Sequence, residues 1–183
     1  MIQTTTPPDL TVETDRFSLR PVRKSDAGLM TLYAGDARVA RMTTTIPHPL
    51  PPGAAEAFLG TVMAPNSDEK AWAIDGVAHG HGELLGLISL TRVTEEQSEV
   101  GYWIAPQFWN TGLASQALGA LLTANPLGDR SFVASIFQDN PASARVVTHE
   151  GFRLVGTSEK FSVARGAIVP TWDYVRQLHE PRL

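Results

Sequence analysis

The run Trp109-Asn110-Thr111-Gly112-Leu113-Ala114-Ser115-Gln116 reads as a loop that becomes a helix near Gly112. Ala117 to Leu122 continues it with small apolar residues and good helix formers. Upstream of Pro106, Glu99-Val-Gly-Tyr-Trp-Ile104 is rich in β-branched and aromatic residues and reads as a strand. Strand, tight loop and helix in this order suit an anion. The first helical N–H groups have no partner inside the helix, and the macrodipole adds partial positive charge. Gly112 and Ala114 carry little bulk, so a phosphate has room beside the backbone amides of Thr111, Gly112, Leu113 and Ala114 and the hydroxyl of Ser115. One Gly and one Ala also fit an ordinary strand-to-helix connection.

Working outward toward the C-terminus, Ser131 to Phe137 reads as a strand. Asn140-Pro141 then opens a helix, Asn suiting the N-cap and Pro the first helical position. Gly151 suits the residue just past its end. Phe152 to Val163 and Val169 to Leu178 pair as a final hairpin, joined near Arg165-Gly166.

Toward the N-terminus, Leu84 to Val93 and Ala71 to Val77 read as strands around the turn His79-Gly80-His81-Gly82. Ala54 to Met63 is helical, with Ala54, Phe58 and Leu59 or Val62 on one side. Thr43 to Pro52 is proline-rich and reads as an ordered loop. Asp36 caps a short helix reaching Met42, and Ser25 caps one that buries Leu29, Met30, Leu32 and Tyr33. Arg16 to Val22 alternates apolar and polar as a strand. This order of elements predicts an α/β (α+β) fold: a mixed, mostly antiparallel twisted sheet of about seven strands with about four helices. Residues 12–183 are expected to form one domain, and the Thr- and Pro-rich residues 1–11 a flexible segment.

The formal net charge is −4 and there is no basic block, which argues against nucleic acid as a direct partner. The chain has no cysteine, so disulfides, thiolate metal sites and a cysteine acyl-enzyme are excluded. No metal is expected: His79 and His81 flank a turn glycine without a completing carboxylate cluster. No apolar run approaches the roughly 20 residues of a membrane span. The opening residues lack the pattern of a signal peptide, so a cytoplasmic protein is expected.

Trp109 to Ala114 resembles the acyl-CoA pyrophosphate loop of the GNAT N-acetyltransferases, Gln/Arg-x-x-Gly-x-Gly/Ala. The Trp at the first position resembles the ribosomal-protein alanine N-acetyltransferase (RimJ/RimL-like) branch, where the stretch reads Tyr-Trp-Gly-Lys-Gly-Tyr-Ala-Thr-Glu-Ala. Asn110 and Thr111 replace the Gly-Lys, and Gln116 replaces the Glu. Asn140 to Phe152 is similar to the later family motif, Asn-x-x-Ser/Ala ending in Gly-Phe, and Asp15 to Pro21 is similar to the opening of that branch. The resemblance spans residues 14–178 and implies a sheet splayed in the middle, acetyl-CoA as cofactor, and direct acetyl transfer to a primary amine. The amine is a protein N-terminus or a small molecule. The competing reading is a non-catalytic acyl-CoA-binding module on the same fold. The resemblance also admits a homodimer through the final strands.

The chemistry needs a held cofactor, a deprotonated amine, a stabilised carbonyl oxygen and a neutralised thiolate. The resemblance implies that the pantetheine arm pairs with backbone at Trp103, Ile104 and Ala105, where an N–H polarises the thioester carbonyl. It further implies that Asn110 to Ser115 hold the diphosphate and that the Ser143 hydroxyl donates to the sulfur. Asn140 serves as a helix cap, as a cofactor contact, or as both. Arg145 reaches a phosphate or forms a surface ion pair. The family's Tyr acid is replaced by Val147, which leaves Ser143 or water as the general acid. Strand alternation sets Glu99, Gly101 and Trp103 on one face and Val100, Tyr102 and Ile104 on the other. Glu99, a carboxyl beside aromatics, is the candidate general base, with a water relay as the competing route.

Overall fold

The computed structural model describes residues 10–178. Eight strands form one sheet: β1 (Val12–Glu13), β2 (Ser18–Pro21), β3 (Glu69–Asp75), β4 (Gly86–Thr94), β5 (Gln97–Ile104), β6 (Ser131–Phe137), β7 (Arg153–Ser162) and β8 (Ala167–Gln177). Their order is β1-β2-β3-β4-β5-β6-β8-β7. Five helices accompany them: α1 (Ala27–Ala34), α2 (Ala37–Ala40), α3 (Ala54–Val62), α4 (Leu113–Ala124) and α5 (Pro141–His149). The mixed class is as expected, with β1 and one more helix than the sequence suggested. Most of the segment expected to be flexible lies outside the described residues. At its end, Leu10 accepts a hydrogen bond from Trp72 Nε1 at 3.1 Å.

Every neighbouring pair in the sheet is antiparallel except β5 and β6. That parallel pair is short. It covers Gln97↔Ser131, Ser98↔Phe132 and Glu99↔Val133, and beyond these residues the strands are no longer registered. The sheet therefore splits between the second half of β5 and the second half of β6. Parallel neighbours require a crossover, and α4 supplies it.

The two faces of the sheet carry two cores. On one, Ile88, Leu90, Val100 and Phe132 pack against Leu118, Leu121 and Leu122 of α4 and Val147 of α5. The three leucines are at most 2% exposed, which stabilises the fold by roughly 1.5–3 kcal/mol per side chain. On the other face, Leu87 and Trp103 pack against Met30 of α1 and Leu59 of α3. The predicted alternation along β5 is what divides Val100 and Ile104 from Trp103.

Two local expectations are corrected. Ser25 does not cap α1. A short turn at Lys24–Asp26 precedes the helix, and Asp26 accepts from Arg23 N–H at 2.9 Å. Asp26 is fixed there by Arg20 of β2, whose guanidinium donates to both carboxylate oxygens at 2.7 and 3.0 Å. Leu32 lies outside the buried face of α1, which consists of Ala27, Met30 and Ala34.

Candidate active site

The loop after β5 is shaped by its own side chains. Trp109 Nε1 donates to the Ile104 carbonyl at 2.7 Å, and Thr111 Oγ1 to the Phe108 carbonyl at 2.6 Å. Asn110 and Gly112 both adopt left-handed backbone, with φ of 59° and 77°. Asn tolerates that conformation better than other side chains, and Gly adopts it freely. Gly112 is the N-cap of α4 and offers no side-chain cap. The first amide of the helix with a partner is that of Gln116, which donates to the Gly112 carbonyl at 3.1 Å. Among the described hydrogen bonds, none uses the N–H groups of Gly112, Leu113, Ala114 or Ser115.

These amides open onto a cavity of about 1250 Å³ that runs through the split in the sheet. Trp103, Ile104, the loop 110–115, Asn140, Ser143 and Arg145 all line it. Ala105 does not; it is fully buried and its N–H donates to the Leu85 carbonyl at 2.9 Å. Backbone groups alternate edges along a strand, so Ile104 turns toward the split while Ala105 turns toward β4. The Trp109 bond to the Ile104 carbonyl lies on that open edge.

Across the split, the expected cap of α5 is present. Asn140 Oδ1 accepts from Ser143 N–H at 3.3 Å, and Asn140 Nδ2 donates to Ser143 Oγ at 3.1 Å. Tyr102 Oη reaches over from β5 and donates to the Ser143 carbonyl at 3.3 Å. Burial pushes its phenol up to about 12, so it remains a donor at neutral pH. The alternation had set Tyr102 on this face, but nothing local in the sequence marked its hydroxyl as part of the site.

Other groups depart from the simplest expectation. The Ser115 hydroxyl is engaged, donating to Glu150 Oε1 at 2.5 Å and lying 3.0 Å from His149 Nδ1. Glu99 stands at the crotch of the split, on the last registered pair of β5 and β6, and outside the cavity lining. Its Oε1 accepts from Lys160 Nζ at 2.6 Å, and about a third of its side chain is exposed. An ion pair with a residue of β7 thus replaces the apolar surroundings that its neighbours in sequence suggested. Arg38 of α2 stacks over the Trp109 ring at 5.5 Å and forks onto Asp36, which holds that carboxyl down at about 2. Asp139 and Arg41 also line the cavity, and neither was marked by sequence motif.

The Acetyltransferase (GNAT) domain family model matches residues 16–153, which includes β5, the loop, α4, β6 and α5. The chain belongs to the GNAT acetyltransferase family. The uncharacterized N-acetyltransferase YoaA of Bacillus subtilis is 26% identical over 161 residues, covering 85% of this chain and 89% of that one. The ribosomal-protein-serine acetyltransferase of Escherichia coli is 38% identical over 78 residues, 40% of this chain and 44% of that one. Among solved structures, Mycobacterium smegmatis RimJ in complex with CoA-disulfide superposes with a TM-score of 0.79 at 21% identity. It covers 94% of this chain and 88% of its own. This GNAT protein is an acetyl-CoA-dependent N-acetyltransferase, in keeping with the expectation from its loop and α5 motifs. Open amides at the start of α4 and the Ser143 hydroxyl, which accepts from Asn140 Nδ2, line the same cavity.

Proposed function

We propose that the split between β5 and β6 holds acetyl-CoA with its diphosphate at the opening of α4, and that the acetyl group passes directly to a primary amine. The amine belongs to a protein N-terminus or a small molecule. The observation that carries this reading is the run of unpartnered amides from Gly112 to Ser115 on the cavity wall. Thr111 to Ala114 supply backbone donors to the diphosphate, Asn110 and Ser115 flank them, and Arg145 adds charge from α5. Ile104, between Trp103 and Ala105, aligns the pantetheine arm and polarises the thioester carbonyl. Acetyl-CoA supplies the acyl group as a thioester already activated toward amines.

The Ser143 hydroxyl donates to the leaving sulfur as it gains charge, and a proton it gives up is replaced from solvent. Asn140 Nδ2 occupies one lone pair of the Ser143 oxygen, which leaves the O–H to point elsewhere. Glu99, outside the cavity lining, takes the proton of the amine through water; its Oε2 has no partner among the described hydrogen bonds. Positioning of two reactants in line supplies the larger share of the rate. The described residues act as one catalytic unit. The enzyme works in the cytoplasm and does not engage nucleic acid, consistent with its net charge of −4. A second copy pairs along the β7–β8 hairpin, where Leu154, Val155, Phe161 and Ile168 are exposed.

Calorimetry with CoA, followed by thiol release with acetyl-CoA and a panel of amines, tests the assignment. Heat with CoA and turnover on at least one amine are expected. No heat with CoA would overturn it.

A further inference from the structure

A second charged cluster lines the same cavity, and its meaning rests on the functional reading above. Asp139 ends the turn after β6 and immediately precedes Asn140; its side chain is 57% exposed. Arg165, from the tip of the β7–β8 hairpin, grips it with Nη1 on Oδ2 at 2.6 Å and Nη2 on Oδ1 at 3.1 Å. The same guanidinium donates from Nε to the Arg41 carbonyl at 2.8 Å and lies 4.9 Å from the Phe137 ring centroid. Close by, Val163 N–H donates to the Thr44 carbonyl at 3.0 Å. The hairpin tip is thus pinned to the loop after α2, and three segments remote in sequence meet beside the cavity. Arg165 is only 11% exposed and its donors are spent on protein.

The Arg41 side chain differs. It is exposed, it lines the cavity, and among the described contacts it has no hydrogen bond or ion pair. The hydrogen bonds from Arg165 and then its charge, with a weaker contribution from the charge of Arg41, hold the Asp139 carboxyl below the usual carboxylate range. Arg165 and Asp139 cancel, so the cluster carries one surplus positive charge. Glu99 does not offset it, because Lys160 already neutralises that carboxylate.

We propose that Asp139 and Arg41 form an acceptor subsite for an amine that carries its own carboxylate, the amino group at Asp139 and the carboxylate at Arg41, with Arg165 as the positioning residue. A linear polyamine brings only positive charge to a cluster that is already positive, which disfavours it. An amine with a carboxylate brings one charge of each sign. The planar Arg41 fork receives a carboxylate through two parallel hydrogen bonds, while each Asp139 oxygen keeps a lone pair for an ammonium proton.

The test uses the full chain, acetyl-CoA and acceptors of one skeleton: an amino acid, its carboxamide and its decarboxylated amine, beside a linear polyamine. A short peptide opening on an acidic residue, and the same peptide with that side chain amidated, separates a side-chain carboxylate from a free α-carboxylate. The preferred acid is expected to exceed its own amide about tenfold or more in kcat/KM, the worth of one charge-assisted hydrogen bond. Arg41→Gln raises KM for the acid by a similar factor, leaves KM for the amide and the affinity for CoA in place, and weakens the heat of acid binding to the CoA-loaded enzyme. Arg41→Lys, which keeps the charge without the fork, recovers part of that loss. Equal rates on acid, amide and polyamine overturn the inference, as does an equal effect of Arg41→Gln on acid and amide. An enzyme that binds CoA and acetylates only amines without a carboxylate overturns this inference alone. A chain that does not bind CoA overturns the functional reading beneath it.

Discussion

Asn140 holds Ser143 at both ends, its Oδ1 on the backbone N–H and its Nδ2 on the side-chain oxygen. The group that starts α5 is therefore also the group that orients the hydroxyl facing the cavity. Ser143→Ala is expected to lower kcat about 10- to 100-fold, toward the low end of acid catalysis, with CoA affinity unchanged. Asn140→Asp keeps a cap acceptor and loses the Nδ2 donor, so it lowers kcat with little loss of stability. Asn140→Ala loses both and costs about 1 kcal/mol in addition. Thiol-release kinetics and thermal unfolding separate the three, and a full-rate Ser143→Ala enzyme would remove Ser143 from the chemistry.

Tyr102 spans the split to the Ser143 carbonyl, and burial raises its phenol to about 12. In the unfolded chain a Tyr ionises near 10. The folded pKa is the higher one, so the contribution of the neutral phenol is complete below about pH 10 and is lost as pH rises from about 10 to about 12. Tyr102→Phe is expected to flatten that part of the stability profile. At neutral pH it costs about 1 kcal/mol, one hydrogen bond. Denaturant titrations at stepped alkaline pH read both effects, and an unchanged alkaline slope in the variant would contradict the assignment.

Local chemistry made much of this visible in the sequence. Ser131–Phe137 forms the strand expected of it, and Asn140, Pro141 and Gly151 mark α5 as their types suggested. Asp36 caps α2 through the Arg38 N–H at 2.9 Å. What escaped depends on distant partners. Two residues, Val12 and Glu13, have no periodicity to read, and they become a strand only against Leu19 and Ser18. Asp26 displaces Ser25 as the organiser of α1 because Arg20 reaches it from β2. Lys160 and Arg165 enter the neighbourhood of the site from the last hairpin, which no spacing near Glu99 or Asn140 announces.

Gly112 and Gly86 flank the cavity wall formed by β5 and its loop, and each is constrained for a different reason. At Gly112 an added Cβ meets only Arg16 Nη1 at 4.0 Å, so space is available and the cost lies in its φ of 77°. Gly112→Ala is expected to cost about 1–2 kcal/mol and to weaken CoA binding as the loop relaxes. At Gly86 a Cβ would fall within contact of the Trp103 carbonyl and 2.9 Å from Ile104 Cδ1. Gly86→Ala must therefore push the end of β5 off β4, and a larger loss of both stability and CoA affinity is expected. Calorimetry and thermal unfolding of the two variants distinguish strain from collision; equal, small effects would show that the end of β5 is free to move.

Glu99 and Lys160 make the last contrast. The pair is about one-third exposed on both sides, so it adds little stability, about 0–1 kcal/mol. Lys160→Met should therefore leave the fold and CoA binding nearly unchanged while releasing Oε1 of Glu99. Glu99→Gln keeps the shape and removes the proton acceptor, and is expected to lower kcat about 10- to 100-fold with a much smaller change in CoA affinity. If Glu99 is the base, the two variants move turnover in different ways, since one deletes the acceptor and the other only its partner. Unchanged turnover in Glu99→Gln would assign deprotonation to a water relay and leave Glu99 and Lys160 as a tie between β5 and β7.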